Sequence, residues 1–240
     1  MGARTIGSSL HNATDTLNPW PFLTRFGGAE VLLPTALLAI LALYVQVDAR
    51  QAAWRWGVAL LMAILVTSAS KILFMGWGLG SAALNFTGVS GHTMLASAIY
   101  PILLPLFGTP AIPHSRKLLF GVGCLLALLI GISRLVLHAH SPSEVLAGWV
   151  LGGSVAVFVH ARHSTLGFSK GYAVAGLFAA CITLALNSVD HSPSHLLITR
   201  LALQLSGQAE PHSRAAMLAR SAKASATPST RESGLLRPLR

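Results

Sequence analysis

The chain has 240 residues, of which 53% are hydrophobic and only 10% are charged, and its mean hydropathy is +0.63. Soluble domains carry about 25% charged residues, so a soluble globule of this size could not bury so much apolar surface. The composition indicates a membrane protein and excludes intrinsic disorder for the main body. The 17 Lys and Arg residues against 7 Asp and Glu give a formal charge of +10. In a soluble protein this surplus would suggest nucleic acid, but in an apolar chain we expect no nucleic-acid partner.

The apolar residues gather into six stretches that alternate with short polar connections. They span residues 31–47, 56–73, 93–107, 118–137, 145–160 and 172–187. Each is close to the roughly 20 residues that a helix needs to cross about 30 Å of hydrocarbon, and continuous apolar runs of this length favour helices over a barrel. We therefore predict an all-α integral membrane fold, a bundle of about six transmembrane helices within the lipid bilayer.

The predicted bundle divides the chain into three parts. Residues 1–30 are an N-terminal segment, in which residues 19–26 are a candidate interfacial helix. Residues 31–189 form the membrane-embedded domain. Residues 190–240 form a basic tail rich in Ala, Ser, Arg and Pro. We expect this tail to be largely disordered, apart from an amphipathic interfacial helix near residues 195–205.

Basic residues mark three short connections on one side of the predicted bundle. These connections span residues 48–55, 108–117 and 161–171, whereas the opposite connections, 74–92 and 138–144, contain no Lys or Arg. Short loops rich in Lys and Arg stay in the cytoplasm, so the opposite side is expected to face the periplasm or the exterior of a cytoplasmic membrane. Six spans would also place the basic tail outside. Either the tail is exported or one span is miscounted, and we give the short loops more weight because long tails count less in this rule.

Two polar clusters lie on the expected outward side. The first is Ser90-Gly91-His92, at the entrance to the third span, and the second contains Ser133, Arg134, His140 and Glu144. The 40 residues between His92 and Ser133 correspond to about one helical hairpin, so the clusters can meet at one membrane surface. Glu144 is the only acidic residue between residues 51 and 189. A single carboxylate among apolar segments is typical of a functional site.

The histidines and the carboxylate suit phosphoryl transfer through a covalent phosphohistidine. His140 and Glu144 are four residues apart, so on one helix face the carboxylate can hold one ring nitrogen and leave the other free to attack. His92 can protonate a leaving oxygen. His138 competes with His140 for the nucleophile, but four residues after it stands Pro142, which offers no carboxylate. We therefore prefer His140.

The remaining polar residues of the clusters suit phosphate binding. Ser90 and Gly91 lie at a predicted helix N-terminus, which attracts anions. The Arg134 guanidinium and the Lys71 ammonium supply positive charge. Each residue also has a structural interpretation, as a side chain at the membrane interface or, for Ser90, as a helix cap. Their combination favours the functional interpretation.

This pattern resembles the type 2 phosphatidic acid phosphatase family, membrane relatives of acid phosphatases and vanadium haloperoxidases. The family motif Pro-Ser-Gly-His is matched at residues 89–92, with Val89 in place of proline. The motif Ser-Arg, five residues, His, three residues, Asp is matched at residues 133–144, with Glu144 in place of Asp. The motif Lys, six residues, Arg-Pro retains Lys71 but has Gly78 and Leu79 at the Arg-Pro positions. The resemblance covers roughly residues 20–190.

The resemblance implies a role for each site residue. His140 would be the nucleophile, oriented by Glu144, and His92 the general acid. Lys71, Ser90, Gly91 and Arg134 would bind the phosphate, and no metal or other cofactor would be needed.

The expected activity is hydrolysis of a lipid phosphate or diphosphate monoester through a phosphohistidine at the outer face of the membrane. The departures at Gly78 and Glu144 leave two alternatives open. One is a lipid phosphotransferase, and the other is a catalytically weak or non-catalytic homologue that binds phosphate lipids. The oligomeric state is left open as well.

Overall fold

The computed structural model describes residues 18–108, 112, 114–161 and 193–226 of the chain. Within these ranges the backbone is helical, with one isolated β-bridge between Ser81 and Phe86. The helices are α1 (Trp20–Arg25), α2 (Ala29–Tyr44), α3 (Arg50–Trp77), α4 (Gly91–Leu103), α5 (Ser115–Val136), α6 (Pro142–His160), α7 (Pro193–Ser206) and α8 (Arg214–Ala226). A short 3₁₀ turn precedes α3 at Val47–Ala49, and another extends α4 at Leu104–Phe107.

The all-helical class is confirmed, and the first five predicted apolar segments coincide with α2 to α6. The sixth, residues 172–187, lies outside the described residues. Three helical stretches are long and apolar enough to cross a membrane: Val47–Trp77, Ser115–Val136 and Pro142–His160. The apolar helices Ala29–Tyr44 and Gly91–Phe107 are shorter. The count of six spans therefore stays a prediction.

The outer faces of the long helices carry large apolar side chains. Leu61 of α3, Leu118 of α5 and Val150 of α6 are 54%, 69% and 65% exposed. In water such continuous apolar surface would drive association, whereas in hydrocarbon it is the preferred surface. The exposure pattern agrees with helices that face lipid.

Helix α4 is the centre of the bundle, because it packs most extensively against α5 and α6. Its residues from Thr93 to Leu103 are all buried. The fully buried Trp56 of α3 donates its indole N–H to the Ala98 carbonyl at 3.3 Å, and this bond fixes α3 against the same helix. Helix α4 is therefore held by three neighbouring helices.

Two glycines let α6 approach α4 closely. A methyl group at Gly148 would lie 2.9 Å from the Ser90 carbonyl oxygen, and one at Gly152 would collide with the Met94 carbonyl oxygen. Such a pair of small residues four apart allows helix backbones to approach within a membrane. The close contact brings the first turns of the two helices together.

The C-terminal segment is more ordered than we expected. Helix α7 packs along α3, with Ala202 fully buried, and the His212 N–H donates to the Met75 carbonyl at 2.9 Å. Helix α8 is capped by Ser213, whose hydroxyl accepts from the Ala216 N–H at 3.2 Å. The helix expected near residues 195–205 corresponds to α7, and α8 is a second helix of the tail that we did not predict; packing on α3 stabilises α7, and the side-chain cap stabilises α8. The end of the tail, residues 227–240, lies outside the described residues.

We predict that Gly152→Ala destabilises the fold by roughly 1–3 kcal/mol, since the added methyl group must push α6 away from α4. Gly153→Ala is the matched control on the same helix, because a methyl group there meets no atom within 4 Å. The control should be neutral or slightly stabilising, as alanine favours helix. Thermal unfolding in detergent measures both, and equal losses in the two variants would contradict the packing account.

Candidate active site

A tight turn after α5 brings Arg134 and His140 together. The Arg134 carbonyl accepts from the Ala139 and His140 N–H groups at 3.0 and 3.3 Å, which closes the end of the helix. His138 adopts a left-handed conformation with φ 52° in this turn. Its side chain is exposed, whereas that of His140 is only 15% exposed. The turn therefore directs His140, and not His138, toward the interior.

The start of α6 orients the His140 ring. Ser141 and Glu144 form a capping box, in which the Ser141 hydroxyl accepts from the Glu144 N–H and the Glu144 carboxylate accepts from the Ser141 N–H. The same carboxylate lies 2.7 Å from His140 Nδ1. An ionised carboxylate only accepts hydrogen bonds, so Nδ1 carries the proton and Nε2 holds the lone pair.

Glu144 also joins the two sequence clusters. Its backbone carbonyl accepts from the Ser90 N–H at 3.1 Å, directly before α4. Its Oε1 accepts from the N–H and the hydroxyl of Thr87 at 2.7 and 2.6 Å. The structure thus brings the segment before α4 against the start of α6, as the hairpin spacing predicts.

A cavity of about 530 Å³ opens at this end of the bundle. Five predicted site residues line it: Gly91 and the charged or titratable residues Lys71, His92, Arg134 and His140. Several apolar side chains also belong to the wall. The titratable residues on the wall are Lys71, His92, Arg134, His140, His195, His212 and Arg214. The apolar part of the wall includes Leu33, Ile64, Phe74, Met94 and Leu95. Cationic and apolar surfaces therefore meet in one cavity, which suits a ligand with an anionic head and an apolar body.

The cations of the wall have free capacity for an anion. Arg134 donates from Nη1 to the Thr24 hydroxyl at 2.9 Å, while its buried Nε has no acceptor among the described residues. Buried N–H groups nearly always have an acceptor, so this one suits a phosphate oxygen. Lys71 Nζ lies beside Gly91, where a methyl group would come within 3.6 Å of it. Gly91 begins α4, whose first N–H groups have no partner within the helix.

Two predicted site residues do not line the cavity. The Ser90 side chain is fully buried, and its hydroxyl lies 2.9 Å from that of Thr93. Glu144 is also fully buried and lies behind His140. The structure thus brings Ser90 near the site as part of the backbone that begins α4, with its hydroxyl turned to Thr93.

The comparisons with known proteins agree with this geometry. The model of the PAP2 superfamily matches residues 76–168. An uncharacterized 22.5 kDa protein in the cps region of Klebsiella pneumoniae is 35% identical over 201 residues, which cover 81% of this chain and 95% of that protein. The chain belongs to the PAP2 superfamily. The resemblance to type 2 phosphatidic acid phosphatases is confirmed.

A second relative has a named activity but a shorter match. The phosphatidylglycerophosphatase B of Bacillus subtilis is 33% identical over 70 residues, which cover 28% of this chain and 34% of that protein. No solved structure matches the chain. The PAP2 match contains His92, Arg134, His140 and Glu144 but begins after Lys71.

Sequence reasoning missed the part of this PAP2 site that the C-terminal segment supplies. Arg214, the first residue of α8, donates to both carboxylate oxygens of Glu144 at 2.8 and 2.7 Å. The His212 ring packs over Gly78, where a methyl group would lie 3.3 Å from His212 Nδ1. The only sequence signal was Ser213 before a run of helix-forming residues, which is typical of a helix start but says nothing about its partner.

The protonation of His140 is set by its surroundings in the PAP2 site. Burial lowers the pKa of the imidazole below its usual value, and the positive charges of Lys71 and Arg134 act in the same direction. The hydrogen bond and the charge of Glu144 oppose them. Because burial outweighs the carboxylate, the ring is neutral at neutral pH, which is the state in which an imidazole can act as a nucleophile.

Removal of the Glu144 charge should shift the pH dependence of the reaction. In Glu144→Gln the pKa of His140 loses the contribution that raises it, so the acid limb of kcat/KM should move to lower pH. The plateau rate should fall by roughly 10²–10⁴-fold, since the ring loses its orienting carboxylate.

The pH profile with a dispersed lipid phosphate as substrate measures both effects. Asp48→Asn is the control, because Asp48 is an exposed carboxylate at the far end of α3. A limb that moves to higher pH in Glu144→Gln would contradict the assigned roles.

Proposed function

We propose that the chain is an integral-membrane lipid phosphatase that hydrolyses a lipid phosphate or diphosphate monoester through a phosphohistidine intermediate. Membership of the PAP2 superfamily supports phosphatase activity. The named activity of the Bacillus subtilis relative supports a phosphorylated lipid as the substrate class. The observation that carries the mechanism is the 2.7 Å contact of His140 with Glu144 at the wall of a cationic cavity.

The proposed reaction has two steps. In the first, His140 Nε2 attacks the phosphorus atom, the bond from phosphorus to the lipid oxygen breaks, and His92 donates a proton to that oxygen. In the second, water attacks the phosphorus atom of the phosphohistidine and gives a proton to His92, the bond between phosphorus and His140 Nε2 breaks, and inorganic phosphate leaves. Arg134, Lys71 and the N–H groups at Gly91 stabilise the charge on the phosphate oxygens in both steps.

The wall of the cavity supports a lipid over a soluble ester. Apolar side chains of α2, α3 and α4 line it beside the cations. The helices that carry these residues also expose apolar surface to the surroundings, as Leu37 of α2 and Leu65 of α3 do at 57% and 51%. A lipid can therefore keep its acyl chains in hydrocarbon while its phosphate reaches His140. The described basic residues at the opposite ends of α3 and α5, such as Arg55 and Lys117, support a site at the outer face of the cytoplasmic membrane.

The test is phosphate release by the purified protein from a panel of lipid phosphates and diphosphates. His140→Ala should lower turnover by at least about 10³-fold, because the nucleophile is lost. His138→Ala is the matched control, since it removes an exposed histidine two residues away. Equal turnover in wild type and His140→Ala would contradict the mechanism, and lipid binding without turnover in wild type would favour the non-catalytic alternative.

Product analysis separates hydrolysis from transfer. We expect inorganic phosphate and the dephosphorylated lipid in equal amounts when a second lipid with a free hydroxyl is present. Mass spectrometry of the lipid fraction measures the alternative directly. A phosphorylated second lipid formed in place of inorganic phosphate would identify a phosphotransferase.

A further inference from the structure

Arg214 is a charged residue of the site that lies outside the two sequence clusters. It begins α8 and follows a stretch that runs along the end of α3, where the His212 N–H is bonded to the Met75 carbonyl. A basic tail residue would ordinarily be solvated. Here the Arg214 side chain is only 32% exposed and lies against the carboxylate behind the nucleophile.

Both terminal nitrogens of the Arg214 guanidinium have acceptors. Nη1 donates to the carbonyl and the side-chain oxygen of Asn85 at 3.2 and 3.0 Å. Nη2 donates to the Thr87 hydroxyl at 3.2 Å and bridges the two oxygens of Glu144 at 2.8 and 2.7 Å. Planar guanidinium groups hold carboxylates in a defined orientation, which an ammonium group does not.

Glu144 needs such a partner. It is fully buried, and a buried carboxylate is costly without a compensating charge. Among the described residues its ion-pair partners are His140 and Arg214. Because His140 must be neutral to attack phosphorus, Arg214 is the partner that supplies positive charge in the reactive state.

The bridge also restricts rotation of the carboxylate. Oε1 is held by Thr87, and Oε2 is held by the Ser141 N–H and His140 Nδ1. Arg214 spans both oxygens and so keeps Oε2 turned toward the ring. The glutamate at this position is one methylene longer than the aspartate of the family motif, and it contacts Thr87 and Arg214 as well as His140.

We propose that Arg214 is a positioning residue for the reaction: it fixes the Glu144 carboxylate so that His140 presents Nε2 to the substrate phosphate. This inference rests on the proposed function, because it assigns to the C-terminal segment a role in the same site. It differs from direct phosphate binding by Arg214, which would weaken substrate binding when lost. It also differs from a purely structural role of α8, which would not depend on the length of the side chain at position 144.

The test is a double-substitution cycle of Arg214→Ala and Glu144→Asp, with Arg220→Ala as the matched control. Arg220 lies on the same helix and is exposed, and its Nε donates to the Ala216 carbonyl one turn earlier. We expect Arg214→Ala to lower kcat by about 10- to 100-fold with KM changed less than about twofold. In the Glu144→Asp background the same substitution should cost less than about threefold, because the shorter carboxylate no longer reaches Arg214.

Arg214→Lys serves as the conservative variant. It keeps the charge but has a single nitrogen, so it cannot bond to Asn85 and Glu144 together as the two terminal nitrogens of Arg214 do, and we expect it to restore only part of the kcat lost in Arg214→Ala. A rise in KM as large as the loss of kcat/KM would assign Arg214 to phosphate binding and overturn the proposal. Equal costs of Arg214→Ala in the wild-type and Glu144→Asp backgrounds would overturn it as well.

A second readout does not need turnover. The protonation of His140 can be followed by NMR of ¹³C-labelled histidine in detergent, with the His140→Ala spectrum for assignment. The charged or titratable groups that face His140 are Glu144, Lys71, Arg134, His92 and, across Glu144, Arg214. Removal of Arg214 leaves the Glu144 charge uncompensated, so His140 should titrate at higher pH in Arg214→Ala and unchanged in Arg220→Ala.

The two readouts separate this proposal from the proposed function. If no lipid phosphate is hydrolysed by the wild type, the proposed function fails, while the titration still decides whether Arg214 acts on His140 through Glu144. An unchanged His140 titration in Arg214→Ala overturns the positioning role even if hydrolysis is observed.

Discussion

The buried carboxylate of Glu144 is the interaction on which the site depends. It caps α6 through Ser141, holds His140, bonds to Thr87 before α4 and pairs with Arg214 of α8. Three segments distant in the sequence, around Thr87, around Glu144 and around Arg214, therefore meet at one side chain. A carboxylate out of water is stable only with many hydrogen-bond donors, which these segments supply. The ionised Glu144 in turn holds the segments together. His140, the proposed nucleophile, is held by the same contacts that close this end of the fold.

Much of this arrangement could be predicted from the sequence. The apolar segments predicted the helices. The hairpin spacing between His92 and Ser133 predicted that the two clusters meet, because two successive antiparallel helices return the chain to the face from which it started. The capping-box pattern from Ser141 to Glu144 is local and therefore readable as well. Two features could not be predicted from the sequence. One is the direction of the Ser90 hydroxyl, which depends on packing against Thr93, and the other is the contact of Arg214 with Glu144.

The basic residues that the structure describes lie at both ends of the bundle. Arg50 and Arg55 at the start of α3 and Arg116 and Lys117 at the start of α5 lie at one end of the bundle, whereas Lys71, Arg134 and Arg214 lie around the cavity at the other. The described part of the C-terminal segment lies at the end of the bundle that carries the site. One positive charge of the tail, that of Arg214, therefore pairs with Glu144 and does not indicate membrane topology. The tail composition, rich in Ala, Ser and Arg, is typical of a disordered segment. The amphipathic pattern near residues 195–205 predicts α7, whereas the docking of Arg214 on Glu144 leaves no signal in the local sequence.

In the proposed mechanism, His140, oriented by Glu144, forms a covalent bond to phosphorus. The most direct measurement is rapid quenching of the protein during turnover of a labelled lipid phosphate, followed by mapping of the bound phosphoryl group by mass spectrometry under conditions that preserve phosphohistidine. The account predicts one phosphorylated residue, His140, and no phosphorylation in His140→Ala. A phosphoryl group on any other side chain would contradict it.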